Sequence, residues 1–188
     1  KDIKNRYFFS EPNKENLLFV HEISKKLHCK MSLFKKTIQN FKGLKYRQEI
    51  IYQKKNLTII NDSKSTSFSS SIGLLKTNCN IYWLLGGIYK KGDELSLPKE
   101  YFKNIKAFIY GKNKKFFIKK LKGKIEYKNF DNLKAAITKI FLIIKKEKLK
   151  DKMILFSPSA ASFDNFENFE ERGLYFNKLI KKYLNGNI

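Results

Sequence analysis

The chain has 188 residues, with 40 Lys and Arg against 17 Asp and Glu, which gives a formal net charge of +23 at pH 7. Hydrophobic residues make up 42% and aromatic residues 15% of the chain, so the composition excludes global disorder and predicts a folded core. The longest apolar runs, 81–85 and 140–144, are much shorter than the roughly 20 residues that cross a bilayer, which argues against a membrane span. The amino end has no secretory-signal pattern, and Cys29 and Cys79 have no metal or redox spacing, so we expect a cytoplasmic protein.

The excess of positive charge is almost entirely lysine. Only three of the 40 basic residues are arginine, namely Arg6, Arg47 and Arg172. Specific recognition of nucleic acid depends strongly on the planar arginine fork and on aromatic platforms. We therefore interpret the lysines as solvating helix faces and loops, which argues against a nucleic-acid partner. A basic α/β module that binds nucleic acid is kept as the alternative from a different functional class.

The first part of the chain predicts two amphipathic helices. Apolar residues recur at helical spacing at positions 20, 23 and 27, and again at 34, 38 and 41. Ser32 can serve as the amino cap of the second helix, and Gly43 can end it. Because the pattern changes to that of strands from Arg47 onward, we predict a domain boundary between residues 1–43 and 44–188.

From residue 48 onward, strands and helices alternate. The β-branched and apolar runs 48–53 and 57–60 predict a hairpin. Four further strands are predicted at 81–85, 107–110, 125–127 and 153–156, with helices between them, and Asp131 is expected to cap the helix before the last strand. This alternation predicts an α/β domain of three layers, Rossmann-like, with a mostly parallel sheet and an antiparallel hairpin at its edge.

Three segments of small, hydroxyl-bearing and charged residues follow predicted strands, where ligands bind in such sheets. In the first, 61–67, free backbone N–H groups of a helix end and the Lys64 ammonium could hold an anion. A capped helix with a surface lysine is the alternative there. In the second, 86–93, paired glycines allow a ligand or another backbone to approach closely. The third, 157–164, offers hydroxyls and backbone donors suited to a carboxylate, or else is an ordinary tight loop.

Three motifs occur in order along the chain: 62–66 (DSKST), 84–87 (LLGG) with Lys90, and 157–173 (SPSAASFDNFENFEERG). Their order and spacing resemble the carboxy-terminal domain of the Mur ligase family, and within it the members that add D-glutamate. The last motif is the most specific of the three. The resemblance covers residues 44–188, and residues 1–43 resemble the end of the central ATPase domain of that family, so a helical remnant of that domain would precede the α/β domain.

The resemblance implies a set of binding residues. Those expected around D-glutamate are Lys64, Thr66, Lys90, Ser162, Phe163 and Phe169. Those expected near ATP are Asn16, Arg47 and Asp62. The chain departs from the family pattern at Pro12 and Tyr46, where histidine is usual, and at Ser65 and Ser67, where alanine and asparagine are common. No catalytic residue and no metal ligand is assigned to this chain.

The activity implied by the resemblance is an ATP-dependent ligation in the synthesis of peptidoglycan precursors. D-Glutamate would be added to UDP-N-acetylmuramoyl-L-alanine through an acyl phosphate, with Mg²⁺ held by the missing domains. We expect a monomeric full-length enzyme, of which this chain is a carboxy-terminal fragment that is inactive alone. Another Mur-type amide ligase, one that extends folate with glutamate or adds diaminopimelate, is the nearest alternative.

Overall fold

The computed structural model describes residues 5–9, 11–41, 43–54, 56–148 and 150–186. The chain separates into two compact units, Lys1–Leu44 and Lys45–Ile188. Within the described residues, none of the helices is both long and apolar enough to span a membrane.

The first unit is helical. It contains a short 3-10 helix, Arg6–Phe9, followed by α1, Glu11–Lys26, and α2, Met31–Asn40. Its small core consists of Phe8, Phe34 and Ile38. The Asn5 side chain closes the end of α2, because its Nδ2 donates to the carbonyls of Ile38 (2.8 Å) and Phe41 (2.7 Å).

Both predicted helices are present, but the predicted cap is wrong. The apolar residues Val20 and Ile23 on α1 and Leu27 just after it are exposed, with 47%, 56% and 69% accessibility. The helix instead turns Asn13 and Leu17 inward, and the Asn13 side chain donates to the Tyr7 carbonyl (2.7 Å). Ser32 does not cap α2, which begins one residue earlier at Met31, and the N-cap is Lys30.

The second unit contains the sheet, and its elements follow one another in the order predicted. The strands are β1 (Glu49–Lys54), β2 (Leu57–Asn61), β3 (Asn80–Leu85), β4 (Ile105–Tyr110), β5 (Glu126–Phe130) and β6 (Lys152–Phe156). The helices are α3 (Phe68–Leu75), a 3-10 helix (Lys99–Asn104), α4 (Lys114–Leu121), α5 (Leu133–Lys146) and α6 (Phe169–Asn185).

The six strands lie in the order β1-β2-β6-β3-β4-β5. The pair β1 and β2 is antiparallel, with a shift of register between Ile50 and Tyr52, and every other pair is parallel. The predicted fold class, a mostly parallel sheet with an antiparallel hairpin at one edge, is confirmed.

Buried strand residues alternate between the two faces of the sheet, as the period of two requires. On one face Ile60, Trp83 and Leu155 pack in a cluster that includes residues of α3 and α4. On the other face Ile59 and Leu84 pack in a second cluster with α5 and α6. The sheet is therefore the middle of three layers.

The amino cap of α5 is Asn132 rather than the predicted Asp131. The Asn132 Oδ1 accepts from the backbone N–H of Ala135 (2.9 Å). Asp131 instead forms an ion pair with Lys114 (2.8 Å), which draws its carboxylate away from the helix end.

Candidate functional site

The loops that follow three strands leave the same edge of the sheet. Strand β6 lies between β2 and β3, and the three strands are parallel, so their carboxyl ends are neighbours. We call the loops the β2 loop (62–67), the β3 loop (86–93) and the β6 loop (157–168). They include the three segments that the sequence singles out, except for Asn61, which is the last residue of β2.

Backbone hydrogen bonds join the β6 loop to the β3 loop. The N–H of Ile88 donates to the carbonyl of Ala161 (2.9 Å), and the N–H of Ala161 donates to the carbonyl of Ile88 (2.9 Å). On the other side, the N–H of Asp62 donates to the carbonyl of Phe156 (2.7 Å), which anchors the β2 loop at the end of β6. The three loops therefore form one connected surface.

The paired glycines of the β3 loop allow another backbone, rather than a ligand, to come close. Gly86 and Gly87 have φ of +151° and +131°, a region that favours glycine. A Cβ on Gly86 would lie 2.2 Å from the carbonyl oxygen of Tyr110, and one on Gly87 would lie 2.4 Å from that of Ala161. Both contacts are impossible for a side chain, so the loop requires glycine at both positions.

The first backbone amide of α3 and that of Lys64 in the loop before it have partners within the protein, so these two N–H groups are not free as the sequence predicts. The first amide of α3, that of Phe68, donates to the carboxylate of Asp93 in the β3 loop (2.7 Å). The amide of Lys64 donates to the carbonyl of Tyr46 (3.0 Å). A protein carboxylate thus takes the position at the helix end that an anionic ligand would have used.

The serine hydroxyls beneath the loops form a buried network. Ser71 Oγ lies 2.7 Å from Ser157 Oγ, 2.7 Å from Ser159 Oγ and 2.8 Å from Ser65 Oγ. The hydroxyls of Ser157 and Ser159 are therefore used inside the protein and not offered to a ligand. Ser162 differs, because its hydroxyl takes no part in this network.

Arg172, on the first turns of α6, is buried with 1% exposure and holds two of the loops. Its Nε donates to Ser63 Oγ (3.1 Å), and its Nη2 donates to the carbonyls of Ser63 (2.6 Å) and Ala160 (3.0 Å). Sequence reasoning missed this residue. One signal was present: arginine occurs only three times in a chain whose default cation is lysine, which points to a site where the planar fork matters.

Asp62 is buried, with its carboxylate turned toward the protein. Its Oδ1 accepts from the N–H of Gln48 (3.1 Å) and its Oδ2 from Ser157 Oγ (2.8 Å). Burial raises the pKa of Asp62 to about 6, although these two hydrogen bonds and the charges of Arg47 and Arg172 act in the opposite direction. The carboxylate orders the chain beside Arg47 through Gln48.

We expect Asp62 to make the protein less stable as pH rises from about 4 to about 6. Between its unfolded pKa of 3.8 and its folded pKa of about 6, the folded state binds more protons than the unfolded state, so raising the pH removes stability. At about 1.4 kcal/mol per pKa unit, the total loss in the free energy of unfolding is about 3 kcal/mol. Urea unfolding of the wild type and Asp62→Asn at pH 4, 5, 6 and 7 measures it.

The isosteric Asp62→Asn variant keeps an acceptor for Gln48 and shares all the other carboxylates, so the difference between the two proteins isolates the Asp62 carboxyl. Relative to that of the wild type, the free energy of unfolding of the variant should rise across this range. Above pH 7 the difference between the two proteins should stay constant. A difference in the free energy of unfolding that stays constant, or moves the other way, would rule out the raised pKa.

Two of the residues predicted to bind D-glutamate are in direct contact. The Lys64 Nζ lies 4.5 Å from the centroid of the Phe169 ring, a cation–π geometry. Ser162 is 3% exposed and lies in the β6 loop. Three others are exposed on the loops: Thr66, Lys90 and Phe163. Because Phe163 is 71% exposed, it packs against little of the surrounding protein.

The residues predicted to bind ATP are placed differently. Asn16 is exposed on α1, in the first unit, and Arg47 is exposed just before β1. Arg47 is open to solvent, whereas the carboxylate of Asp62 faces inward and accepts from Gln48 and Ser157 within the protein. Among the described residues, no group of three or more His, Cys, Asp or Glu is arranged to hold a metal ion.

No family model matches the chain. The UDP-N-acetylmuramoylalanine–D-glutamate ligase of Rickettsia felis is 36% identical over 172 residues, which is 91% of this chain and 38% of that ligase. The ligase of the same name from Francisella philomiragia is 34% identical over 183 residues, 95% of this chain and 43% of the ligase. Over nine tenths of its length the chain is similar to these ligases, as the resemblance of the sequence motifs predicts. It spans about two fifths of the length of these curated relatives.

Solved structures of Mur ligases share the fold of this chain. MurF from Acinetobacter baumannii superimposes with a TM-score of 0.65 at 16% identity, covering 91% of this chain and 38% of that one. MurC from Thermotoga maritima gives a TM-score of 0.62 at 15% identity, covering 95% of this chain and 39% of that one. These structures bear on the fold alone, and it is the similarity to the curated ligases that bears out the resemblance found in the sequence motifs.

Proposed function

We propose that this chain is the carboxy-terminal part of a ligase that adds D-glutamate to UDP-N-acetylmuramoyl-L-alanine, using ATP and Mg²⁺. The observation that carries the proposal is the identity of about 35% with ligases of that name over some nine tenths of the chain. The geometry supports it, because five of the six predicted D-glutamate residues lie on three connected loops at one edge of the sheet, and the sixth, Phe169, begins α6 directly after the β6 loop.

In this proposal, residues 1–43 end the central ATPase domain and residues 44–188 form the domain that binds D-glutamate. The complete enzyme works as a monomer in the cytoplasm. The chain's own residues bind and orient the amino acid, while the nucleotide supplies the phosphoryl group that activates the acceptor carboxylate. The Mg²⁺ ligands belong to other parts of the enzyme.

D-Glutamate carries two carboxylates, and the predicted site residues include two exposed ammonium groups for them, those of Lys64 and Lys90. The contact with the Phe169 ring restricts the Lys64 side chain to the side of the loop where α6 begins. The Ser162 hydroxyl, which takes no part in the buried serine network, can donate to a carboxylate oxygen. Holding both carboxylates leaves the amine to attack the activated carbonyl.

The activity of the complete gene product that contains these residues tests the proposal. With ATP, Mg²⁺ and UDP-N-acetylmuramoyl-L-alanine, phosphate release should depend on D-glutamate. L-Glutamate and meso-diaminopimelate should not replace it. Phosphate release that responds to diaminopimelate, or to a folate with glutamate, would move the enzyme to another branch of the family.

The nucleic-acid alternative has its own measurement. A basic binding module should bind DNA or RNA with a steep dependence on salt, and it should keep that binding in Lys64→Ala. No described feature of the three loops favours this second function.

A further inference from the structure

The hydrogen bonds of Arg172 end on residues next to two of the predicted substrate groups. Ser63, which accepts from both Nε and Nη2, directly precedes Lys64. Ala160, the other acceptor of Nη2, lies two residues before Ser162. One guanidinium therefore bridges the β2 loop and the β6 loop at the positions from which Lys64 and Ser162 extend.

Ser63 carries the link one step further. Its hydroxyl accepts from the Arg172 Nε and donates to the carbonyl of Phe169 (2.8 Å). Phe169 is the residue whose ring lies under the Lys64 ammonium. The backbone of the β2 loop and the aromatic contact of Lys64 are thus fixed by the same pair of side chains.

The remaining edge of the guanidinium faces the β3 loop. A Cβ on Gly87 would lie 3.2 Å from Arg172 Nη1, so the loop that carries Lys90 packs directly against the charged group. Nη1 itself has no hydrogen-bond partner in the described part of the chain. All three loops that carry predicted D-glutamate residues therefore contact this one side chain.

Lysine cannot take the place of this arginine. The planar fork presents donors in several fixed directions, and here they reach acceptors on two different loops at once. An ammonium group is a single point at the end of a flexible chain. It could replace the two bonds of Nη2, but it could not also supply the bond from Nε to the Ser63 hydroxyl in the same fixed plane.

We propose that Arg172 is a positioning residue that sets the distance between Lys64 and Ser162, and through it the affinity of the enzyme for D-glutamate. This inference rests on the proposed function. Arg172 itself is buried and does not touch the substrate; it acts through the loops that it joins.

The test uses the complete enzyme with Arg172→Lys and Ser63→Ala. Arg172→Lys keeps the charge but loses the fork, and we expect it to raise KM for D-glutamate about tenfold, the equivalent of one or two hydrogen bonds. Ser63→Ala removes the hydroxyl between Arg172 and Phe169 without touching the buried charge, and we expect a rise of about threefold. KM for ATP should change by less than about twofold in both. Lys178→Ala, an exposed change on the same helix, should leave both constants unchanged.

Each outcome decides a separate question. If phosphate release by the wild-type enzyme does not depend on D-glutamate, the proposed function is wrong. A wild type that responds to D-glutamate, together with variants that keep its KM, overturns the role of Arg172. Equal rises in KM for D-glutamate and ATP would also overturn it, because they would show a general loss of structure. If Arg172→Lys does not fold, Ser63→Ala carries the same comparison.

Discussion

Lys64→Ala in the complete ligase is expected to lower kcat/KM for D-glutamate about 10- to 100-fold, the range that corresponds to loss of a charge-assisted hydrogen bond. The side chain is exposed, so the change removes a ligand-binding group without opening a cavity. Its ammonium is already held beside the Phe169 ring, and a substrate carboxylate would therefore meet a partly ordered cation. KM for ATP should stay within about threefold of the wild type, since the change removes a contact to the amino acid alone. Steady-state kinetics with each substrate varied in turn measures both constants.

A matched control is available at the other end of α3. Lys76 is exposed at the carboxyl end of this helix, whereas Lys64 lies before its amino end, so Lys76→Ala removes the same charge away from the loops. It should leave D-glutamate kinetics unchanged, and Ser162→Ala should show the same selectivity as Lys64→Ala. If the response to D-glutamate is unaltered in both Lys64→Ala and Ser162→Ala, these residues do not bind the amino acid.

Trp83→Ala is expected to destabilise the protein by about 3 to 5 kcal/mol, the usual range for removing a large aromatic side chain from a core. Trp83 is fully buried in β3 and lies 6.1 Å, centroid to centroid, from the ring of Phe68. Its Nε1 also donates to the carbonyl of Ser157 (2.8 Å), at the start of the β6 loop. Alanine would leave both a cavity and a buried carbonyl without its donor.

Urea unfolding of the 188-residue chain, followed by circular dichroism, measures this loss. Phe163→Ala provides the comparison, because a ring that is 71% exposed should contribute less than about 0.5 kcal/mol. Trp83→Phe should fall between the two, since it keeps a ring but loses the donor. A loss below about 1 kcal/mol for Trp83→Ala would contradict the packing described for the core.

Most of the fold could be predicted because the strands are marked by strong local signals. The run 81–85 is continuously apolar between polar residues, and it forms β3 with nearly the same boundaries. The α1 helix was predicted, but the face that it buries was not. That face carries Leu17 and the buried Asn13, whose side chain donates to the Tyr7 carbonyl, and a buried asparagine is not part of an apolar pattern.

The candidate site was predictable to the level of loops and not to the level of contacts. Parallel strands guarantee that their carboxyl ends share an edge, so the meeting of the three loops follows from the order of elements. The hydrogen bond of the first amide of α3 does not follow from the order of elements, because its acceptor, Asp93, is 25 residues away in the sequence. Arg172 binds Ser63 across 109 residues, and no spacing rule connects two such positions.

The shift of register in β1 has a consequence for how the protein behaves at high concentration. β1 and β5 are the outermost strands, and unpaired N–H and C=O groups on such strands invite a second molecule to add its own strand. On β1 the irregularity between Ile50 and Tyr52 interrupts the spacing that an incoming strand would need to match. On β5 exposed Glu126 and Lys128 place charge where it would have to be buried. Both outer strands are thereby protected against intermolecular strand addition, and with it against sheet-mediated aggregation.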